Sequence, residues 1–341
     1  MFTRILFTLL TGLLLVSSTQ AQDEVYSQFF AAPIQLNPAL TGTTFAPRIS
    51  INYRNQWPQL PNAFVTYSVT ADKFIDQISS GIGLSILSDS EGDGIFKSIK
   101  VHGSYAYNLQ VTESFFIRGG LQAGLIQRRL DWDRLLFFDQ LDPFTGPVDA
   151  GGNPIMSGEQ RPDRLNRTFV DFSAGLLAFS PQFYLGLTMK HINSPDQGIL
   201  NSELGNAALP ALFSIHGGAE INLWEPNNKS EERAFLSPNF IFAKQGDFHQ
   251  VNVGAYAKMG VVFFGGWFRH TFSNADAAII LLGFQKSLVR FGYSYDVTVS
   301  GLSSNTGGAH ELSLTLNFSE ANFAKRRRTS RQYNQCLKIF R

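Results

Sequence analysis

The feature that most constrains the fold of this chain is a two-residue alternation of apolar and polar side chains. It is clearest between residues 49 and 72, where two alternating runs flank a proline-containing turn at 58–61. Successive side chains of a β-strand point to opposite faces of the sheet, so these runs predict a hairpin with one apolar and one polar face. In the first run the apolar side carries Ile49, Ile51, Tyr53, Asn55 and Trp57, and the other side carries Ser50, Asn52, Arg54 and Gln56.

The same pattern recurs along the chain and predicts about fourteen strands. We place them near residues 49–57, 63–72, 80–88, 95–109, 114–128, 168–179, 182–191, 211–223, 234–244, 247–257, 260–269, 276–284, 287–297 and 310–318. The connections are alternately long and short, except that 224–233 is longer and 245–246 shorter than the alternation requires. An even strand number with short turns at one end and long loops at the other is typical of bacterial outer-membrane barrels.

The composition favours a chain with an apolar exterior. Charged residues are 16% and aromatic residues 13% of the sequence, whereas a soluble domain is typically about 25% charged. Beyond the N-terminus no apolar run reaches the roughly 18 residues that a spanning helix needs. A chain in a membrane must then close its sheet, because only a closed barrel leaves no backbone group unpaired in lipid. We therefore predict an all-β transmembrane antiparallel β-barrel, with both termini in the periplasm.

Four segments follow from this reading. Residues 1–21 have the basic start, apolar centre and small residues of a secretory signal peptide. Residues 22–47 form an N-terminal segment that lies either in the periplasm or in the lumen as a plug, and the sequence leaves both open. Residues 48–318 form the barrel, in the outer membrane of a Gram-negative bacterium. Residues 319–341 form a basic periplasmic tail.

Charged residues on the inward-facing positions predict a lumen that is partly or wholly filled, because opposite charges there can pair across the interior. Arg54 and Glu311 lie on the first and last strands, which must pair to close the barrel, so we expect these two side chains to meet. An Arg54 that faced lipid would show the register to be wrong by one residue. The inward charged set is Arg54, Lys100, Arg118, Asp171, Arg290, Asp296 and Glu311.

Several aromatic residues fall near predicted strand ends. Amphipathic rings are enriched in the lipid headgroup zone of membrane barrels, and we expect these residues to lie there. They are Tyr53, Trp57, Tyr184, Trp224, Trp267 and Tyr295.

No motif predicts catalysis. The sequence lacks a GxSxG elbow, an HExxH helix and a Walker loop. Its six histidines show no ligand spacing, its acidic stretch at 89–94 lacks the EF-hand pattern, and Cys336 is its only cysteine. We therefore expect no enzyme activity, no metal and no cofactor, although a His/Ser pair of a surface hydrolase stays open as a less favoured alternative. A net charge of +1 provides no field that would attract nucleic acid.

Three stretches resemble the PorP/SprF family of Bacteroidetes, the outer-membrane proteins of the type IX secretion system. They are LNPALTG, NYRNQWPQLPNAFVTYSVTAD and YDVTVSGLSSNTGGAHELSLTLNF. The family-motif residues, which are also candidate lumen or seam residues, are Asn37, Pro38, Tyr53, Arg54, Asn55, Trp57, His310 and Glu311.

The resemblance implies a barrel that assists the secretion or surface retention of cargo such as adhesins, by binding a C-terminal sorting domain. It also implies a link to gliding motility, no catalysis, and outer-membrane lipid, the adhesin and other secretion-system components, possibly periplasmic, as partners. We expect the loops 129–167 and 192–210 to bind the cargo, because loops on a rigid scaffold carry function. The alternative is a barrel that transports small solutes.

Overall fold

The computed structural model describes residues 23–60, 63–149, 151–199, 207–224, 234–272, 274–299, 306–318 and 340. The predicted signal peptide, most of the basic tail and the connection at 225–233 lie outside these residues. Fifteen β-strands are present in the described part: β1 (Arg48–Gln56), β2 (Phe64–Ile75), β3 (Ser80–Glu91), β4 (Phe96–Gln110), β5 (Phe116–Leu130), β6 (Asn166–Phe179), β7 (Phe183–Lys190), β8 (Leu212–Ala219), β9 (Ile221–Trp224), β10 (Ala234–Gln245), β11 (Phe248–Met259), β12 (Val262–Thr271), β13 (Asn274–Lys286), β14 (Val289–Thr298) and β15 (Ala309–Asn317).

These strands form one closed antiparallel barrel. Apart from β8 and β9, each strand pairs with its neighbours in sequence, and β1 pairs with both β2 and β15, which closes the sheet. The short strands β8 and β9 both lie along β10 and are separated only by Glu220. They therefore share one position in the barrel, and the predicted fourteen-stranded all-β barrel is confirmed.

The two faces of the strands separate as the alternation predicts. Along β4 the outward residues, such as Val101 and Tyr105, are exposed, while Lys100 and His102 are buried inside. Arg54 is aligned with Glu311 across the β1–β15 seam, and both side chains are buried. The predicted register is thus correct.

The barrel has two unlike ends. The connections 131–165 and 191–211 lie at one end, which we call the long-loop end, together with the turns after β1, β3, β10, β12 and β14. The opposite, short-turn end carries tight connections such as 76–79, 180–182 and 287–288, and it is also where β1 begins and β15 ends. No helix in the described part of the chain is long and apolar enough to cross a membrane.

Before β1 the chain forms only short helical turns. They are the 3₁₀ turn Phe29–Ala31, the helix α1 (Pro33–Leu36) and the 3₁₀ turn Pro38–Leu40. Pro33 and Pro38 each occupy the start of a turn, where a missing N–H costs nothing. Such turns bury few of their own side chains, so the segment depends on the barrel around it.

Candidate functional site

Residues 23–47 lie inside the barrel, and we call this segment the plug. Asp23 lies near the long-loop end, where its N–H donates to the Gln245 side chain at the end of β10. Gly42 lies near the short-turn end, in close contact with Gly81 at the start of β3. Between them most residues are buried. The plug therefore runs along the lumen from one end to the other.

A chain of alternating carboxylates and imidazoles fixes the start of the plug. Asp23 Oδ2 lies 2.5 Å from His191 Nε2, and His191 Nδ1 lies 2.7 Å from Asp171 Oδ1. The other Asp171 oxygen lies 3.2 Å from His102 Nε2. Lys100 donates to Asp23 at 2.7 Å, so the first residue of the plug meets two basic side chains of the wall. We call this the upper ionic cluster.

The protonation of this cluster favours anchoring at neutral pH. Burial alone would lower the pKa of His191, but the Asp23 and Asp171 carboxylates raise it to about 9. Burial would likewise raise the pKa of Asp23, but Lys100 and His191 hold it well below its ordinary value. The imidazolium and the carboxylate are therefore both charged at pH 7, and each stabilises the other.

The second contact of the plug is with Glu311, the carboxylate of the predicted seam. The N–H groups of Ser27 and Gln28 donate to its two oxygens at 2.8 and 2.9 Å. The Gln28 side chain also donates to the Glu311 carbonyl at 3.0 Å and accepts from Ser313 at 2.6 Å. The last strand of the barrel, β15, thus binds both backbone N–H groups and a side chain of the plug.

Arg54 compensates the charge that this contact buries. Its guanidinium lies 3.2 Å from Glu311 and 3.1 Å from Asp296. Arg269 approaches Asp296 at 3.0 Å, which gives a network of two arginines and two carboxylates. The expected contact between Arg54 and Glu311 is present, and Ser27 of the plug joins it by accepting from Arg54 at 2.9 Å.

Below this network the plug changes character and becomes aromatic. Phe30 lies at ring-centroid distances of 5.3 Å from Tyr256, 6.4 Å from Phe263 and 6.1 Å from Trp267. Arg290 stands 4.6 Å from the Phe30 centroid, so a buried cation faces the ring. We call the set Phe29, Phe30, Tyr256, Phe263 and Trp267 the aromatic cluster.

Asn37 and Pro38, of the LNPALTG stretch, fasten the plug to the middle of the wall. The Asn37 side-chain amide donates to the carbonyls of Leu176 and Leu187 at 3.1 Å each, on the paired strands β6 and β7. Its oxygen accepts from the Ala39 N–H at 2.8 Å, which caps the turn that Pro38 begins. This approach requires Gly175, because a Cβ there would lie 2.0 Å from the Asn37 oxygen.

At the short-turn end two arginines hold the exit of the plug. Arg48 forms a bidentate pair with Asp72 at 2.9 and 2.7 Å, and Asp72 also accepts from the Gly42 N–H at 2.6 Å. Arg118, which is fully buried, donates to the carbonyls of Thr41 and Gly42. The Gly42 N–H and the carbonyls of Thr41 and Gly42 thus all form hydrogen bonds with charged side chains.

Phe340, the residue before the last, lies in the lumen at the same end. Its carbonyl accepts from Arg48 at 2.5 Å. Its ring lies 5.1 Å from that of Tyr184 and 6.5 Å from that of Phe29, edge to face. The side chain is buried, so Phe340 fills the lumen together with the plug.

The remaining motif residues lie around the β1–β15 seam, away from the plug. Tyr53 packs against Tyr67 on the outer face, and His310 accepts from or donates to the Tyr293 hydroxyl at 2.8 Å on the same face. Asn55 is the strand partner of His310. Trp57 ends β1 with a φ of 58° and donates its N–H to Gly308 at 2.7 Å. These residues join the long-loop ends of β1 and β15.

Two aromatic predictions were wrong. Tyr184 and Trp267 are buried in the lumen and do not lie in the headgroup zone. Tyr184 donates to Asn239 at 2.9 Å, and Trp267 packs on the plug. The reason is the alternation of the strand: each of these residues occupies an inward-facing position. For Trp267 this could have been inferred from Arg269, because residues two apart on a strand share a face. The side chain of Trp224 lies outside the described residues.

A cavity of about 410 Å³ lies above the plug at the long-loop end. Carboxylates of the plug and of β3 line it together with aromatic rings from the strand ends; among them are Glu24, Asp89, Glu91, Trp57, Phe64 and Phe248. In the part of the chain that the structure describes, no three His, Cys, Asp or Glu side chains are arranged to hold a metal ion.

A closed fourteen-stranded barrel with an apolar outer face and an ionic, filled interior defines a membrane β-barrel protein. The family model described as type IX secretion system membrane protein PorP/SprF matches residues 18–316, and the chain belongs to this family. No curated protein matches the sequence.

Solved structures with some similarity are barrels. A monoaromatic hydrocarbon channel, a TodX deletion mutant, has a TM-score of 0.48 at 11% identity over 84% of this chain and 94% of its own. The CymD monoaromatic hydrocarbon channel has 0.41 at 12% identity over 87% and 92%. A FadL homologue of Pseudomonas aeruginosa has 0.36 at 12% identity over 80% and 90%. These TM-scores and identities are too low to assign the functions of those proteins to this chain.

Proposed function

We propose that this protein is a non-enzymatic barrel of the Gram-negative outer membrane that assists the type IX secretion machinery, by binding a C-terminal domain of a secreted cargo such as an adhesin. Family membership supports the association with the machinery. The observation that carries the rest is the filled lumen: the plug contacts the wall at the long-loop end, at the middle and at the short-turn end. A barrel without a free interior works through its surface.

The long loops are the surface that we assign to the cargo. The second loop is fixed to the strand that follows the first, because Arg167 at the start of β6 pairs with Asp196 at 2.8 Å and donates to the Gly198 carbonyl at 2.6 Å. Loops fixed to a rigid scaffold are the usual carriers of recognition. Short turns of bacterial barrels face the periplasm and long loops face the exterior. In that orientation β1 begins and β15 ends on the periplasmic side, while the plug extends back towards the exterior.

The experiment that tests this function is a gene deletion combined with affinity purification of the full chain in mild detergent. We expect a secreted protein and further secretion components to be recovered with the wild-type chain, and the amount of that protein at the cell surface to fall on deletion. An adhesin still present at the surface in normal amounts after deletion would contradict the proposal.

Transport of small solutes is tested by conductance in planar bilayers. The contacts of the plug predict no steady open-channel current for the full chain. A variant that lacks residues 23–44 removes the side chains that fill the lumen and is expected to conduct, which serves as the control for insertion and folding. Steady current through the wild-type barrel would favour the transport function instead.

A further inference from the structure

The longest connection at the long-loop end, residues 131–165, is internally ordered by its own hydrogen bonds. The N–H and carbonyl of Asp142 pair with those of Gly146 at 2.8 and 2.9 Å, and the Asp142 carboxylate accepts from two further N–H groups of this turn. Asp149 closes a second turn by accepting from the Gly151 and Asn153 N–H groups at 2.8 and 2.9 Å.

A third aspartate ties the two limbs of the loop together. Asp139 accepts from the Ser157 hydroxyl at 2.8 Å and from the Gly158 N–H at 2.6 Å. Next to it, Gln140 donates to the Ile155 carbonyl at 2.9 Å. The loop therefore presents a fixed surface to its surroundings.

This ordered loop leaves large apolar side chains outside. Phe138, Phe144 and Met156 are 91%, 96% and 87% exposed. Phe138 and Met156 flank the contact between Asp139 and Ser157, so they belong to one hydrogen-bonded unit. Other aromatic rings of this connection are partly covered, since Trp132 packs on Phe137 at 4.8 Å and both are half-buried. Apolar side chains that an ordered loop holds almost fully in solvent gain free energy when a partner covers them.

The charge of the loop selects among possible occupants. Residues 135–160 contain Asp139, Asp142, Asp149 and Glu159 and no lysine, arginine or histidine. Hydrogen bonds from backbone N–H groups lower the pKa of Asp139, Asp142 and Asp149, so these carboxylates keep their charge well into the acidic range. An anionic lipid surface is repelled by such a loop. Two identical loops repel each other as well.

We propose that residues 135–149 and 151–160 form a docking surface for a protein whose apolar pocket is rimmed by lysine or arginine residues. Phe138, Phe144 and Met156 enter the pocket, and the aspartates face the basic rim. Charged groups around an apolar contact raise the association rate and select the partner, while the buried rings supply most of the affinity. The inference rests on the proposed function, because it specifies the cargo surface that the long loops bind.

The test uses the full chain in living cells, with the photoreactive phenylalanine analogue p-benzoylphenylalanine placed at position 144. Position 272 carries the control, because Phe272 is also exposed and lies at the same end but outside the acidic loop. We expect position 144, and not 272, to crosslink to a secreted protein, at a site that peptide mapping places beside lysines or arginines. Crosslinks to lipid or to a second copy of the chain, or no crosslink at all, would overturn the inference.

Two variants separate this inference from the proposed function. Phe138→Ser with Phe144→Ser is expected to lower the affinity for the cargo recovered with the wild-type chain by at least about tenfold. Asp142→Asn with Asp149→Asn keeps an oxygen acceptor for both turns and is expected to weaken the salt dependence of binding, because two of the four carboxylates of the loop lose their charge. Unchanged binding in the serine variant would refute the docking surface while leaving the proposed function intact. A wild-type chain that recovers no secreted protein would refute the proposed function itself.

Discussion

Two neighbouring parts of the plug, residues 23–28 and residues 29–31, are held in the barrel by different physics. We call them its ionic half and its aromatic half; the later residues of the plug are held separately, through Asn37, Asp72 and Arg118. Towards the long-loop end, residues 23–28 are held by ion pairs and charged hydrogen bonds, with Lys100, His191 and Glu311 as the main partners. Towards the short-turn end, Phe29 and Phe30 are held by aromatic packing. Buried ion pairs are costly to desolvate and give little net stability, but they are very costly to break. Buried rings give stability directly. The comparison indicates that the aromatic contacts supply most of the free energy that holds the plug in the barrel. The ionic contacts fix the position of the plug.

The largest effect is expected in the aromatic half, from Phe30→Ala. The substitution removes a buried ring that contacts Tyr256, Phe263 and Trp267, and it exposes Arg290 to an empty space. The free energy of unfolding should fall by about 3–5 kcal/mol. Urea unfolding of the full chain in micelles measures it, with Phe272→Ala as the exposed control of the same type. A loss below about 1 kcal/mol would show that the aromatic cluster does not hold the plug.

In the ionic half, Arg54→Met should cost about 3 kcal/mol, because it leaves Glu311 and Asp296 buried with less compensation. Adding Glu311→Gln removes the uncompensated charge and keeps an oxygen acceptor for one of the two N–H groups, Ser27 or Gln28, that Glu311 binds. The double variant should therefore recover part of the lost stability in the same measurement. If the double variant were no more stable than Arg54→Met, the ion pair between Arg54 and Glu311 would itself stabilise the fold, beyond compensating the buried charge of Glu311.

The pH dependence of the two halves should also differ. The pKa of His191 is raised from 6.5 to about 9, so its contribution is complete below pH 6.5 and is lost as the pH rises through 9. The pKa of Asp23 is lowered from 3.8, so its contribution is present above that value and is lost as the pH falls through the lowered pKa. Hydrogen exchange of the backbone amides of residues 23–28 should therefore speed up above about pH 9, beyond the intrinsic effect of pH.

His191→Gln is the control for this experiment, and its amides should show no such additional acceleration. The amides of residues 29–31 should also be insensitive, because rings hold them. Equal acceleration of amide exchange in both halves would mean that the plug is released as one unit. The two halves would then differ in their contacts but not in the free energy of local opening.

The sequence could predict the wall of this barrel but not its contents. Alternation placed Arg54 and Lys100 inside and Tyr105 outside, because one parity rule governs every residue of a strand. The plug has no such rule: its turns are short, and Asn37 is fixed by carbonyls of strands about 140 and 150 residues away in sequence. Trp267 lies in a stretch that is apolar on both faces, so the alternation is hidden there.

The smallest effect is expected for Phe340→Ala, although this ring is as deeply buried as Phe30. Phe340 is more than twenty residues from the end of β15 along the sequence, and bringing together two residues at that separation costs about 2–3 kcal/mol of entropy. Burial of a phenylalanine ring returns a similar amount, so the net loss should be about 1 kcal/mol or less. Protease cleavage of the tail should increase in this variant, while the amides of residues 29–31 stay protected. If those amides lost protection as in Phe30→Ala, the aromatic half would depend on both ends of the chain, and the tail would be part of the plug.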